Sequence, residues 1–341
     1  MRGCVIHGVD DLRVDELPEP VAGPGQAVVA VRYGGVCGSD LHYWRHGGVG
    51  DFLLREPMVL GHEVVGTVVA YGEGADGPAP GTPVAVHPAT PCGACPECLD
   101  GRANVCRDTR YLGSAARTPH VQGGFAARIA VPAGQLRALP AGLGLRRAAL
   151  AEPLSVALHA VRRAGPVEGK HVLVTGAGPI GSLVVAALRA AGAAAVTVTD
   201  LLPKALEFAA AAGATTLVPV GDPAGPGLPD EVDTAVEASG SAAGLDTCLR
   251  SVRRGGAVVQ LGMLPPGMSP FAGNLVVSRE IELRGALRFD VEFDGAIELL
   301  ARDDSFDSLV SAVVPVERAA EAFALAADRS QSCKVLLDCG G

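Results

Sequence analysis

Between residues 26 and 90, short apolar runs rich in β-branched residues alternate with Gly and Pro breaks. AVVAVRYGGVCG, VVGTVVAYGEG and TPVAVHP predict strands and a β-rich first half. From residue 170 the pattern changes. KHVLVTGAG predicts a strand ending in glycines, PIGSLVVAALRAAGA a helix with a Gly stop, and AVTVTD a second strand. The alternation continues through KALEFAAAAGA, TLVPV, VDTAVEAS, AGLDTCLRSVRRG, AVVQLG and IELRGAL. Strands alternating with helices predict an α/β, doubly wound parallel sheet of the Rossmann type. The Pro/Gly-rich stretch GDPAGPGLPDE predicts a surface loop. Past residue 286, EFDGAIELLAR and ERAAEAFALAAD predict helices and KVLLD a final strand.

At about 100–200 residues per domain, 341 residues predict two domains. Apolar residues make up 48% and charged residues 19%, which fits a folded enzyme rather than a disordered chain. The net charge of −9 argues against nucleic acid as a partner, because that partner needs a basic footprint. No apolar run reaches the roughly 18–20 residues of a membrane span. The opening MRGCVIHGVDDL lacks a charged-then-apolar signal pattern, so a cytoplasmic location is expected.

Four of the nine cysteines, Cys92, Cys95, Cys98 and Cys106, fall within fifteen residues. The other five are scattered, and an odd count without a signal pattern argues against a disulfide framework. Four thiolates at this spacing can close around one tetrahedral Zn²⁺. An iron–sulfur run would end in a three-residue gap followed by Pro, whereas the last gap here is seven. Sulfur at all four positions leaves no open site, so this zinc is expected to be structural.

Gly176, Gly178 and Gly181, with Pro179 and Ile180 between them, follow a strand and open a helix. In that setting GxGxxG points to a dinucleotide whose pyrophosphate meets helix-terminal N–H groups. Asp200 ends the next strand. A carboxylate there can bond both ribose hydroxyls and repels a 2′-phosphate, which predicts NAD over NADP. Lys204 nearby either softens that preference or is a solvated helix residue.

Cys37-Gly38-Ser39-Asp40-Leu41-His42 and Gly61-His62-Glu63 are modest signals alone. Cys37 fits a metal ligand or a buried thiol, and His62 a ligand or a satisfied core histidine. Together, however, GGVCGSDLH, PMVLGHEVVG, the four-cysteine lobe, AEPLSVALHA and TGAGPIG stand in an order that resembles the zinc-dependent medium-chain dehydrogenases of the alcohol and polyol dehydrogenase family.

The resemblance implies a GroES-like catalytic domain with the zinc lobe over 1–150, a Rossmann NAD-binding domain over 151–285, and a return to the catalytic domain over 286–341. It implies a second, catalytic zinc, making two per subunit. Cys37 and His62 match its first two ligands. Glu63 and Glu152 are both candidates for the third, with Glu152 standing where simple alcohol dehydrogenases carry cysteine, as in the polyol branch. Ser39 and His42 match a proton relay, and Asp40 is expected to orient His62. Leu261, Gly262 and Leu287 are expected to join the cofactor site.

HYWRHGGVGDF, YLGSAARTPHVQGGF and GALRFDVEFDGAIELLA resemble the sorbitol dehydrogenases and, more closely, the sugar-acid branch of L-idonate 5-dehydrogenases. The polyol enzymes usually carry Arg-Tyr where Arg288-Phe289 stand here. Tyr43, Arg288 and Phe289, with Arg117 and His120 as weaker candidates, are the expected substrate contacts. The partner implied is a small sugar acid or polyol, and the expected assembly is a homo-oligomer, a dimer or tetramer.

Overall fold

A computed structural model gives the fold and describes all residues except 223, 224, 226 and 341. The stretch read as a surface loop includes residues 223, 224 and 226, which lie outside the described residues. Two compact units are present: Met1–Glu152 with Phe293–Asp328 and Lys334–Gly341, and Pro153–Glu292 with Arg329–Cys333. The chain thus passes to the second unit after Glu152 and back after Glu292, with a short second excursion over Arg329–Cys333, where the resemblance implies boundaries at 150 and 285.

The first unit is built on a seven-stranded sheet. Its central strands are β1 (Gln26–Gly35) and β2 (Glu63–Tyr71), paired antiparallel from Ala27↔Tyr71 to Gly35↔Glu63. The final strand, Lys334–Asp338, runs antiparallel to the end of β1, with Leu336 opposite Gly35. The parallel neighbour of that final strand, Val310–Pro315, is not among the expected strands, although Val310, Val313 and Val314 give it strand character. Between β1 and β2 lies helix α1 (Gly38–His46). The Cys37 N–H donates to the Asp40 carboxylate at 2.9 Å, which closes the first turn. Gly47, at φ 69°, ends the helix with its N–H on the Tyr43 carbonyl. Behind the sheet, Phe323 takes the edges of Trp44 and Phe125 at centroid distances of 5.8 and 6.2 Å. That core fixes the strand ends from which the site residues project.

Helix α2 (Ala151–Ala164), whose first two residues belong to the first unit, leads into the second, where β3 (His171–Thr175), α3 (Pro179–Ala190), β4 (Ala195–Asp200), β5 (Thr216–Pro219), β6 (Val232–Glu237), β7 (Val252–Gln260) and β8 (Glu282–Gly285) follow. The six strands are all parallel in the order β5-β4-β3-β6-β7-β8. This is the expected doubly wound sheet, with its order reversing between β3 and β6. One boundary differs from the pattern. SVRRG reads as the end of a helix, but the helix stops at Ser251 and the strand already starts at Val252. An irregularity between Val232/Val252 and Thr234/Ala257, with Gly255 at φ 65°, absorbs the extra polar residues.

Candidate active site and metal centres

The Gly-rich turn is shaped by close approaches. Gly176 sits at φ 90°, and a Cβ there would lie 2.7 Å from the Ser239 Cα. A Cβ on Gly181 would lie 1.9 Å from the Gly176 carbonyl oxygen, so only glycine lets α3 start this close to the turn. Gly178, the N-cap of α3, faces open space and makes no side-chain cap. The unsatisfied N–H groups of that first turn are therefore offered to an anion, a cradle that fits a dinucleotide pyrophosphate. Pro179 occupies N1, where a missing N–H costs nothing.

Asp200 ends β4 and accepts from Ala177 N–H at 2.7 Å and Leu202 N–H at 2.9 Å, one bond on each oxygen. An ionised carboxylate has about four acceptor positions, so two are left for hydroxyls. Lys204 pairs instead with Glu207 on its own helix at 2.7 Å. Leu261 and Gly262 both donate their N–H to the Glu237 carbonyl at 2.9 Å, and Leu287 is exposed.

Cys37, His62 and Glu63 come together at the ends of β1 and β2, with one ligand atom from each lying within 4.8 Å of the others. His62 and Glu63 are buried. Glu63 meets Lys334 of the final strand, whose Nζ donates to both carboxylate oxygens at 2.7 and 2.8 Å and to the Val36 carbonyl at 3.2 Å. Burial pulls the Lys334 ammonium down, but the charges of Glu63 and Cys37 outweigh it and raise its pKa. Lys334 is a site residue that sequence reasoning missed: nothing in KVLLD marks a lysine as buried.

Glu152, in the first turn of α2, is buried beside this cluster and accepts from the Tyr111 hydroxyl at 2.6 Å. Tyr111 also lies 5.7 Å from the His62 ring, centroid to centroid. Asp40 is fully buried, but its bonds go to the backbone of Cys37 and Gly61. It stands 3.8 Å from His62 Nδ1, close enough for charge and too far for the expected direct hydrogen bond. Burial lowers the His62 imidazolium, yet Asp40 and Cys37 overcome it and push its pKa well above the ordinary value. A pocket of converging thiol, imidazole and carboxylate donors fits a divalent cation.

Ser39 and His42 lie one turn apart on α1, Ser39 half-buried and His42 exposed. The substrate candidates divide. Tyr43 is buried and its oxygen accepts from Ala115 N–H at 2.9 Å; Phe289 is buried as well. Arg288 is half-buried at φ 53°, in the left-handed region. Arg117 and His120 both make bonds within the fold. His120 bonds Arg117 O through Nδ1 at 2.7 Å and accepts from Arg55 N–H through Nε2 at 2.9 Å. Arg117 holds Asp108 and the carbonyls of Arg107 and Thr109.

The four lobe cysteines also converge within 4.8 Å, and all are free thiols. Backbone N–H groups of Cys92 and Asp108 point at Cys106 Sγ, and that of Cys95 points at Cys92 Sγ, at 3.3–3.4 Å. The lobe is outside the sheet, with Cys92 exposed and only Cys106 buried.

An alcohol dehydrogenase GroES-like domain model matches residues 23–141, and a zinc-binding dehydrogenase model matches residues 179–302. The chain belongs to this family of zinc-binding alcohol dehydrogenases and is an enzyme of that class. It is 38% identical to L-idonate 5-dehydrogenase (NAD(P)(+)) of Escherichia coli strain K12, over 98% of both chains. It is 34% identical to sorbitol dehydrogenase of Bacillus subtilis strain 168, over 88% of this chain and 86% of that one. The crystal structure of L-idonate 5-dehydrogenase from E. coli K-12 MG1655 superposes with a TM-score of 0.93 at 36% identity, covering 99% of this chain and 97% of that one. Among the described residues, no helix is long and apolar enough to cross a membrane.

Proposed function

We propose that this chain is an NAD-linked L-idonate 5-dehydrogenase that converts L-idonate and NAD⁺ reversibly to 5-keto-D-gluconate, NADH and a proton. The carrying observation is the end-to-end likeness to the E. coli enzyme, in sequence and in fold. A sorbitol-type polyol dehydrogenase is the second reading, favoured by sorbitol dehydrogenases that match nearly as well, at 34–35% identity.

Cys37, His62 and Glu63 would hold the catalytic zinc, since their donor atoms converge. Glu152, oriented by Tyr111, supplies the next carboxylate. Zinc bound there supplies a Lewis acid that makes the substrate alcohol easier to deprotonate. NAD supplies the hydride acceptor. Ser39 and His42 pass the alcohol proton along α1 towards solvent, which the exposure of His42 supports. Asp200 binds the adenosine ribose through its two spare acceptor positions. Arg288 is assigned to the substrate carboxylate. A left-handed backbone at a non-glycine residue costs about 1 kcal/mol, which fits a side chain held for a purpose. The lobe cysteines would hold a second, structural zinc. A homo-oligomer fits the exposed Met263, Met268, Phe271 and Val277 near β8, the edge strand. The reading also carries the expectation of a cytoplasmic enzyme.

Initial rates across aldonates and polyols, each with NAD and NADP, test this reading. L-idonate with NAD should give the highest kcat/KM. A higher value for sorbitol establishes the second reading, and no turnover on any of them overturns both.

A further inference from the structure

Glu237 is the last residue of β6, at the point where the strand order reverses. In a doubly wound sheet the two halves of a dinucleotide lie on either side of that point. Here the Gly-rich turn and Asp200 belong to β3 and β4, on the adenosine side. The β6–β8 half is left for the nicotinamide.

The Glu237 side chain is fully buried. One oxygen accepts from Ser239 N–H at 2.8 Å, from the Ser239 hydroxyl, and from the Thr175 hydroxyl at 3.5 Å. The other accepts from Gln260 Nε2 at 2.6 Å and Gly240 N–H at 3.2 Å. All five partners are donors, the pattern an ionised carboxylate requires. All five are neutral, and among the described residues Glu237 makes no ion pair. Space is cleared for it: a Cβ on Gly244 or Gly262 would come within 2.7 Å of its oxygens. The chain has thus enclosed a negative charge and left it without a counter-ion. Its field reaches its neighbours, as it adds to the burial that pushes the Cys248 thiol up to about 12. A buried charge of this kind is costly unless something offsets it.

The nicotinamide ring is a cation when oxidised and neutral when reduced. We propose that the enclosed Glu237 carboxylate is a positioning and electrostatic residue that favours NAD⁺ over NADH at this site. It fixes the turns after β6 and β7 through Ser239, Gly240 and Gln260, and its charge stabilises the oxidised ring. The inference rests on the dehydrogenase reading above and assigns it a redox bias.

The test measures binding, not turnover. Dissociation constants for NAD⁺ and NADH are determined separately, by calorimetry and by NADH fluorescence, on the zinc-loaded wild type and on Glu237→Gln. The ratio Kd(NAD⁺)/Kd(NADH) should rise on the order of tenfold when the charge is removed. Gln260→Lys, which pairs the carboxylate with an ammonium, should move the ratio the same way and decides the matter if Glu237→Gln does not fold. Ser239→Ala removes a neutral donor and should move both constants together. An unchanged ratio in the charge variants, or a parallel loss of both affinities, overturns the inference and leaves the dehydrogenase reading intact. A wild type that binds neither dinucleotide overturns both.

Discussion

Cys92, Cys95, Cys98 and Cys106 are neighbours in sequence, and the loop that carries them is held by a four-residue helix, a 3₁₀ turn and the Arg107–Glu97 ion pair at its surface. The Cys37 cluster is gathered from β1, β2, α2 and the final strand, and its charges are buried. In the lobe the four thiols sit close by chain connectivity, and under the proposed function a bound metal would do the ordering. In the cluster the fold does the ordering, and each ligand leans on a partner: Glu63 on Lys334, Glu152 on Tyr111, and the Cys37 and Gly61 backbone on Asp40. The proposed function therefore expects the reaction to survive loss of the first kind of site and not of the second.

The sharpest test of that contrast is Cys37→Ser. Losing a ligand of the catalytic metal should lower kcat at least 10³-fold, on the order of 4 kcal/mol, with the melting temperature nearly unchanged. A variant that keeps more than a tenth of its turnover would remove Cys37 from the site. Next in size is Lys334→Met. Stripping the counter-charge from a buried carboxylate should cost about 3–5 kcal/mol in urea unfolding. Adding Glu63→Gln should recover part of the loss, and a double variant no more stable than the single one would show that the pair carries little. In the lobe, Cys95→Ser should remove one zinc per chain by elemental analysis and lower stability by roughly 1–3 kcal/mol. Its kcat per folded molecule should stay within about twofold; a collapse of turnover would erase the distinction between the two centres. The narrowest effect, on metal retention alone, belongs to Tyr111→Phe. Removing one hydrogen bond to a charged group should weaken metal retention by about 1.5–3 kcal/mol at most, read by competition with a chelator.

These two regions also differ in how well the chain announces them. Cysteine spacing, the glycine turn and the strand–helix alternation are local, so they are visible along the sequence, as were Cys37 and His62 once placed in order with other motifs. Partners are not local. Lys334 is 271 residues from Glu63, and its sequence context differs in no way from that of a surface lysine. Glu237 sits in VDTAVEAS with nothing to mark it as enclosed. His120 and Arg117 are polar residues in a loop, a pattern shared by ligand contacts and by loop struts, and their bonds to the backbone are not legible in the sequence. Tyr43 follows a motif that suggests substrate, yet its hydroxyl oxygen accepts from Ala115.

The ion pair between Glu63 and Lys334 also sets an order of events in the life of the molecule. A ribosome releases residue 63 long before residue 334, by roughly 15–50 s at ordinary elongation rates. During that interval β1 and β2 can pair, but the carboxylate that their pairing would bury lacks its Lys334 ammonium. The nascent first unit therefore has a reason to stay open around the future metal site until the last strand arrives and seals it. A chain stopped short of Lys334 would carry Cys37, His62 and Glu63 without the ammonium that meets both Glu63 oxygens in the finished fold.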